Sequence, residues 1–193
     1  MNIEKDLRPY YTTYAKTISR NLASMQCCTL LLNLCAPGYR VLDLGSGFSS
    51  FALRYYQERL GIQVWSVDSD ATWLVKTRAY CEQSGIRADN FLLWKELTMS
   101  DVFGDGTKRI FDLIFFDIGI TKERVSYMTP TLRTLIHPKT FVLFDDIHKG
   151  VIKEGLERVL ANYNYKEVGV KGQTMDEYGR YSRLVYAIRR KQA

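Results

Sequence analysis

Short, nearly all-apolar runs alternate with amphipathic stretches along most of this chain. Tyr39 to Leu44 (YRVLDL), Gln63 to Val67, Phe91 to Trp94, Phe111 to Phe116 (FDLIFF) and Phe141 to Phe144 are too short for helices and predict five strands. Between them, Ser50 to Leu60 carries Phe51, Leu53 and Tyr56 on one side, and Ala71 to Gln83 runs until Ser84-Gly85 stops it. A short helix is expected to open at Thr129-Pro130, with Thr as N-cap and Pro at the first helical position. Val151 to Tyr163 places Ile152, Leu156, Val159, Leu160 and Tyr163 on one face. Asp101 to Arg109 is a polar, glycine-containing loop. Apolar strands separated by helices predict a parallel sheet covered on both faces. Tyr165 to Val170 and Ser182 to Ile188 are two further strands, joined by a loop with Gly172 and Gly179. That connection is too short for a helical crossover, so the pair is expected to be antiparallel. The fold class is therefore α/β.

Ahead of this alternation, Leu22, Met25, Leu30, Leu31 and Leu34 recur at helical spacing and predict one helix from Thr17 to Leu34, ended by Cys35-Ala36-Pro37-Gly38. Tyr10, Tyr11 and Tyr14 form an aromatic cluster before it. Residues 1–38 are expected to form an N-terminal helical segment contributing to a lid, and residues 39–193 the core.

Length and composition narrow the class. One chain of 193 residues, 46% hydrophobic and 25% charged, is an ordinary globular domain and not a disordered, collagen-like or disulfide-stapled chain. Lys and Arg number 27 against 21 Asp and Glu, and the one compact basic run is Arg189-Arg190-Lys191. This balance permits nucleic acid or an anionic substrate without requiring either. Cys27, Cys28, Cys35 and Cys81 make no C-x-x-C pair and have no neighbouring His, which argues against a zinc site. The opening MNIEKDLRPYY is not a secretory signal, and the apolar stretch from Cys27 to Leu34 is too short to span a bilayer, so a reduced, cytoplasmic protein with no membrane partner is expected.

The first strand ends in Asp43-Leu44-Gly45-Ser46-Gly47-Phe48-Ser49-Ser50. Gly45 and Gly47 permit a tight turn and close approach of a ligand to the backbone. Asp43 would oppose a pyrophosphate and suit a ligand carrying an ammonium or sulfonium. Ser50 stands where a dinucleotide-binding turn has its third glycine. Asp68, at the end of the second strand, can accept hydrogen bonds from ribose hydroxyls, unless it only caps the helix near Ala71. Ribose plus positive charge, without pyrophosphate, describes S-adenosylmethionine better than NAD.

These residues, VLDLGSGFSS at 41–50 and SVDSD at 66–70, with FDLIFFD at 111–117, FVLFDDIH at 141–148 and DEYGRYSRLVYAIRR at 176–190, resemble the class I (Rossmann-like) S-adenosylmethionine-dependent methyltransferases over residues 36–190. The resemblance implies a mostly parallel seven-stranded sheet of order 3-2-1-4-5-7-6, with strand seven antiparallel. It implies that Asp43, Gly45 and Gly47 line the methionine moiety and that Asp68 holds the ribose. Ser69, Trp94 and Lys95 would bound the adenine slot, and Ser46, Ser49 and Asp117 complete the cofactor set.

Asp117 ends the fourth strand, and Asp145 and Asp146 end the fifth. Three carboxylates on neighbouring strand ends repel one another unless a positive group lies between them. Hard oxygen ligands suit Mg²⁺, and the arrangement is similar to the metal-dependent O-methyltransferases, of catechol and macrocin type. Asp-Asp at the fifth strand departs from the Asp-Asn of the catechol type. Acting without a metal, His148 is the candidate base, with Lys122 another. No Asn/Asp-Pro-Pro-aromatic motif follows Asp117 and no cysteine lies where a cytosine-C5 nucleophile would, which disfavours both classes of DNA enzyme. The Tyr10, Tyr11 and Tyr14 segment, Gly119 to Met128 and Lys171 to Tyr181 would surround the acceptor. The expected function is methyl transfer to a hydroxyl of a small molecule, helped by a divalent ion. An RNA or protein methyltransferase and a non-catalytic cofactor-binding subunit are the rivals. The short chain, with no inserted substrate domain, leaves room for a homodimer.

Overall fold

A computed structural model describes residues 2–19, 22–98, 108 and 110–192. The Asp101 to Arg109 loop of the sequence reading lies outside the described residues apart from Lys108. Among the described residues, seven strands form one sheet of order β3-β2-β1-β4-β5-β7-β6. β1 (Arg40–Leu44), β2 (Gln63–Asp68), β3 (Phe91–Leu93), β4 (Phe111–Phe116) and β5 (Ile136–Phe144) run parallel, and β7 (Arg183–Arg190) lies antiparallel between β5 and β6 (Tyr163–Val168). This is the mostly parallel, Rossmann-like α/β sheet expected from the sequence.

Strand periodicity accounts for the two-sided core. Val41, Leu113, Phe115 and Leu143 point into one layer, while Leu42, Ile114, Phe116 and Phe144 point into the other. The first layer is covered by α1 (Ile3–Thr17), α2 (Met25–Asn33), α3 (Phe48–Leu60) and α4 (Ala71–Gln83). The second is covered by α5 (Trp94–Thr98), α6 (Thr121–Thr134) and α7 (Gly150–Leu160). A four-residue turn, α8 (Lys171–Thr174), interrupts the connection between β6 and β7. None of these helices is long and apolar enough to cross a membrane.

Two helix assignments need correction. The helix expected from Thr17 to Leu34 is instead two helices that end at Thr17 and restart at Met25. Ser24 caps the second, its Oγ accepting from the Cys27 N–H at 3.0 Å, and so breaks the apparent periodicity. The tyrosines belong to α1 and seal the first core layer. Tyr10 packs on Phe51, Tyr11 sits edge-on to Phe48, and buried Tyr14 shares a 3.1 Å hydrogen bond with Thr77. Thr129-Pro130 does not open a helix. α6 begins at Thr121 and carries Pro130 in its interior. The buried side chains Arg124, Met128, Thr131 and Leu132 continue one face straight through it, and that burial outweighs the hydrogen bond Pro130 forfeits.

Candidate active site

The carboxyl ends of β1, β2, β4 and β5 border a cleft of about 580 Å³, where open α/β sheets place their ligands. Its floor is the turn after β1. Gly45 has φ +107°, and a Cβ there would fall 2.6 Å from the backbone carbonyl carbon and oxygen of Asp117. Only glycine fits such a close approach to the exit of β4. The Gly45 N–H donates to Val67 O at 2.8 Å, and the Asp117 N–H donates to Leu44 O at 2.6 Å. The turn is thereby stitched to both neighbouring strands.

Asp68 borders the cleft and fixes the next turn. Its Oδ2 accepts from the Ser46 N–H (2.8 Å) and Ser46 Oγ (3.2 Å), and its Oδ1 from the Asp70 N–H (3.0 Å). Burial pushes this carboxyl up, and those donors oppose the shift. The cap of α4 is Asp70, which accepts from the Thr72 N–H at 2.8 Å. Asp68 is therefore not the helix cap.

Gly45, Ser46, Gly47, Ser49, Asp68, Ser69, Asp117, Asp145 and Asp146, all singled out from sequence, come together around this one cleft. Asp43 does not border it. Its carboxylate is fully buried beneath the turn, accepting from Ser49 Oγ (3.0 Å) and Ser50 Oγ (2.5 Å), and burial pushes it up to about 7. It holds the first turn of α3 to β1. Trp94 and Lys95 are also absent from the described residues lining the cleft. The Trp94 ring packs edge-on against Tyr127, 5.1 Å between centroids, in the second core layer. Trp73, which the sequence reading overlooked, borders the cleft beside Ser69.

The strand-end acids are close together, and the positive group among them is an arginine. Arg124, on the first turn of α6 and only 6% exposed, places one guanidinium nitrogen 2.6 Å from Asp117 Oδ1 and the other 3.2 Å from Asp146 Oδ2. The nitrogen that faces Asp117 also donates to Gly119 O at 3.3 Å. Lys149 adds a 2.5 Å bond to Asp146 Oδ2. Burial raises Asp117 to about 8 against the pull of Arg124. Burial also works against ionised Asp146, but Lys149 and Arg124 outweigh it and hold that carboxyl below its ordinary range. Asp145 Oδ1 accepts from Ser182 Oγ at 2.7 Å, and Ser182 Oγ lies 3.2 Å from Cys27 Sγ. Burial and neighbouring Asp146 raise the Asp145 carboxyl, while Ser182 opposes them.

The expected divalent ion does not fit this donor set as it stands. Asp117 Oδ1 pairs with Arg124 as an ion, though without a hydrogen bond, Asp146 Oδ2 accepts from Arg124 and Lys149, and Asp145 Oδ1 accepts from Ser182. Among the described residues, no three His, Cys, Asp or Glu side chains form a metal-holding group. His148 is not on the cleft wall, and its Nδ1 lies 3.8 Å from Asp146 Oδ1. Lys122 is exposed on α6 and also lies off the wall.

The cleft's roof comes from distant parts of the chain. Leu22 and Ala23, before α2, border it together with Arg180. Arg180 is held by Asp176 at 2.6 Å and donates to Leu22 O at 3.3 Å. Ser24 Oγ reaches Thr174 O at 3.4 Å, and the Ser182 N–H donates to Thr174 Oγ1 at 3.0 Å. The tyrosines of α1 are not on the wall. The basic run that ends β7 lies at the opposite end of the sheet, where Arg189 and Arg190 face Asn164 and Tyr163.

Comparison with known proteins agrees with this architecture. No curated protein matches the sequence. The structure is similar to cofactor-bound Rv0187 from MTB (18% identity, TM-score 0.62, covering 89% of this chain and 83% of that one). It is also similar to the O-methyltransferase from Bacillus cereus in complex with SAH (13%, TM-score 0.62, 96% and 90%). A third similar structure is the O-methyltransferase TomG from Streptomyces achromogenes, involved in tomaymycin synthesis, in complex with SAM (17%, TM-score 0.61, 95% and 86%). At these identities the likeness speaks for the fold. The family model described as a methyltransferase domain matches residues 42–147, the stretch that carries the glycine turn, Asp68, Asp117, Asp145 and Asp146. The match covers more than half of the chain, and the protein belongs to that methyltransferase domain family.

Proposed function

We propose that this protein is an S-adenosylmethionine-dependent methyltransferase that methylates a hydroxyl oxygen of a small molecule. The observation that carries the reading is that one cleft is bordered by the Gly45–Ser46–Gly47 turn, by Asp68 and by the acids at the ends of β4 and β5. When bound, the cofactor supplies an electrophilic methyl group on a sulfonium. Asp68 receives the ribose. Oδ1 keeps a lone pair beyond its bond to the Asp70 N–H, and the long Ser46 Oγ bond yields to a sugar hydroxyl. The glycine turn has no side chain to keep the methionine portion off its backbone. Burial raises the Asp117 carboxyl, and a bound sulfonium would join Arg124 in favouring its ionised form beside the positive end, while Ser69 and Trp73 flank the base.

The acceptor then lies over the end of β5. Asp145 is the group placed to take its hydroxyl proton, because Ser182 orients it and burial raises its proton affinity. The remaining contribution of the site is alignment of that oxygen with the methyl group. A small acceptor is favoured over nucleic acid because Arg189 and Arg190 lie at the far end of the sheet from the cleft. Two of the similar structures are O-methyltransferases, which supports a hydroxyl acceptor.

Thermal unfolding with and without S-adenosylhomocysteine tests the cofactor. Ligand at a hundredfold excess over Kd stabilises the native state by about 2.7 kcal/mol, a rise of roughly 5–10 °C for a chain of this size. The rise should vanish in Asp68→Ala. No rise at millimolar ligand in the wild-type protein overturns the reading and favours a non-catalytic role. Screening phenolic and sugar hydroxyls for methylation follows a positive result.

A further inference from the structure

Arg124 is unusual for a cleft residue: its charge is almost wholly buried, and it serves two carboxylates on different strands at once. A guanidinium is buried only where good partners offset its desolvation. Here the partners are Asp117 and Asp146, side by side at the carboxyl ends of β4 and β5. These are the very positions whose mutual repulsion, read from the sequence, asked for a divalent ion. The cation they have instead is covalently part of α6. Its Nε is buried and has no hydrogen-bond partner, so the ion pairs to the two carboxylates carry most of what holds the charge there.

We propose that Arg124 takes the place of a divalent metal ion at the strand-end carboxylates, so that the acceptor oxygen meets a site whose positive charge is fixed in α6 and not a coordinated metal. The inference rests on the proposed reading of this cleft only for the word acceptor. The displacement of a metal by Arg124 stands on the geometry alone. Two consequences follow from it. Asp117 and Asp146 stay oriented with no ion taken up from solution. The site cannot chelate a pair of adjacent oxygens as a metal would.

Mn²⁺ alone is the probe, with free aqueous Mn²⁺ followed by its electron paramagnetic resonance signal. The expected result is that wild-type protein leaves Mn²⁺ free, whereas Arg124→Gln, which removes the positive charge from between two carboxylates, binds one Mn²⁺ at least about tenfold more tightly. Adding Asp146→Asn to that variant should abolish the gain, and Arg124→Lys should behave as wild type. Stoichiometric Mn²⁺ binding by the wild-type protein that is lost in Asp146→Asn overturns the proposal. So does a folded Arg124→Gln that gains nothing. Arg124→Met, which keeps the bulk of the side chain without its charge, replaces Arg124→Gln if the latter does not fold. If neither folds, the wild-type titration alone decides between the same two outcomes. The S-adenosylhomocysteine shift measured on the same samples separates this result from the cofactor reading, since a protein can fail either test and pass the other.

Discussion

Gly45→Ala probes the narrowest point of the structure. Two costs add there. A φ of +107° lies in the left-handed half of backbone space, where a side chain costs about 1–2 kcal/mol. The new Cβ would also sit 2.6 Å from the Asp117 carbonyl and 2.9 Å from the Ile118 nitrogen. These are backbone atoms and cannot rotate aside, so the exit of β4 must shift, at about 1–3 kcal/mol. The total, about 2–5 kcal/mol, corresponds to a fall in Tm on the order of 10 °C. Gly38→Ala is the control. Gly38 has φ +85° with nothing within 4 Å of the added carbon, so it carries the conformational cost without the collision. Equilibrium urea unfolding of both variants isolates the steric part by difference, and S-adenosylhomocysteine titration tells whether the shift of Asp117 reaches the cleft. If Gly45→Ala loses no more stability than Gly38→Ala, the close approach of the turn to β4 is not the rigid constraint argued above.

Other predictions follow the same contacts. Asp43 has a folded-state value of about 7 against roughly 3.9 in an unfolded chain, so its contribution to stability is full below pH 4 and is lost as pH rises through 7. Asp43→Asn should flatten that fall, and urea midpoints between pH 5 and 8 that keep the wild-type slope would remove Asp43 as its source. Tyr14→Phe deletes the buried bond to Thr77 and should cost about 0.5–1.5 kcal/mol by urea unfolding; an unchanged midpoint would mean that Thr77 finds another partner. Ser182→Ala frees Asp145 and breaks the link to Cys27. Once an acceptor is in hand, it should lower kcat with little change in the S-adenosylhomocysteine affinity, and an equal loss in both would make Ser182 a structural residue only.

Most of the sheet was legible because its strands are short and apolar on both faces, and because tight turns punctuate them. The glycine turn and Asp68 could be placed for the same reason: they sit within a few residues of a strand end. Arg124 was harder to see. It lies seven residues beyond Asp117 in a helix expected to start only at Thr129, and an arginine on a short polar stretch gives no sign of being buried. Ser182 and Leu22 had no local signal at all, since their partners Asp145 and Arg180 lie 37 and 158 residues away. Asp43 was misplaced for the opposite reason. Its spacing from Gly45 suggests a ligand contact, but two serines on α3 claim its oxygens first. The break at Ser24 was hidden because apolar residues on both sides happen to keep helical phase.

The place of β7 in the sheet has a consequence for biosynthesis. Although last in sequence among the strands, it lies between β5 and β6, and Ser182 immediately precedes it. A chain emerging in order therefore lays down the glycine turn, Asp68 and Asp145 long before the residue that orients Asp145 exists. Until β7 inserts, β5 and β6 each present an unpaired edge, which is the kind of surface that recruits other chains. Emergence of β7 both closes that hazard and completes the β5 side of the cleft, so a nascent chain stalled before β7 would be sticky and without a complete cleft at the same time.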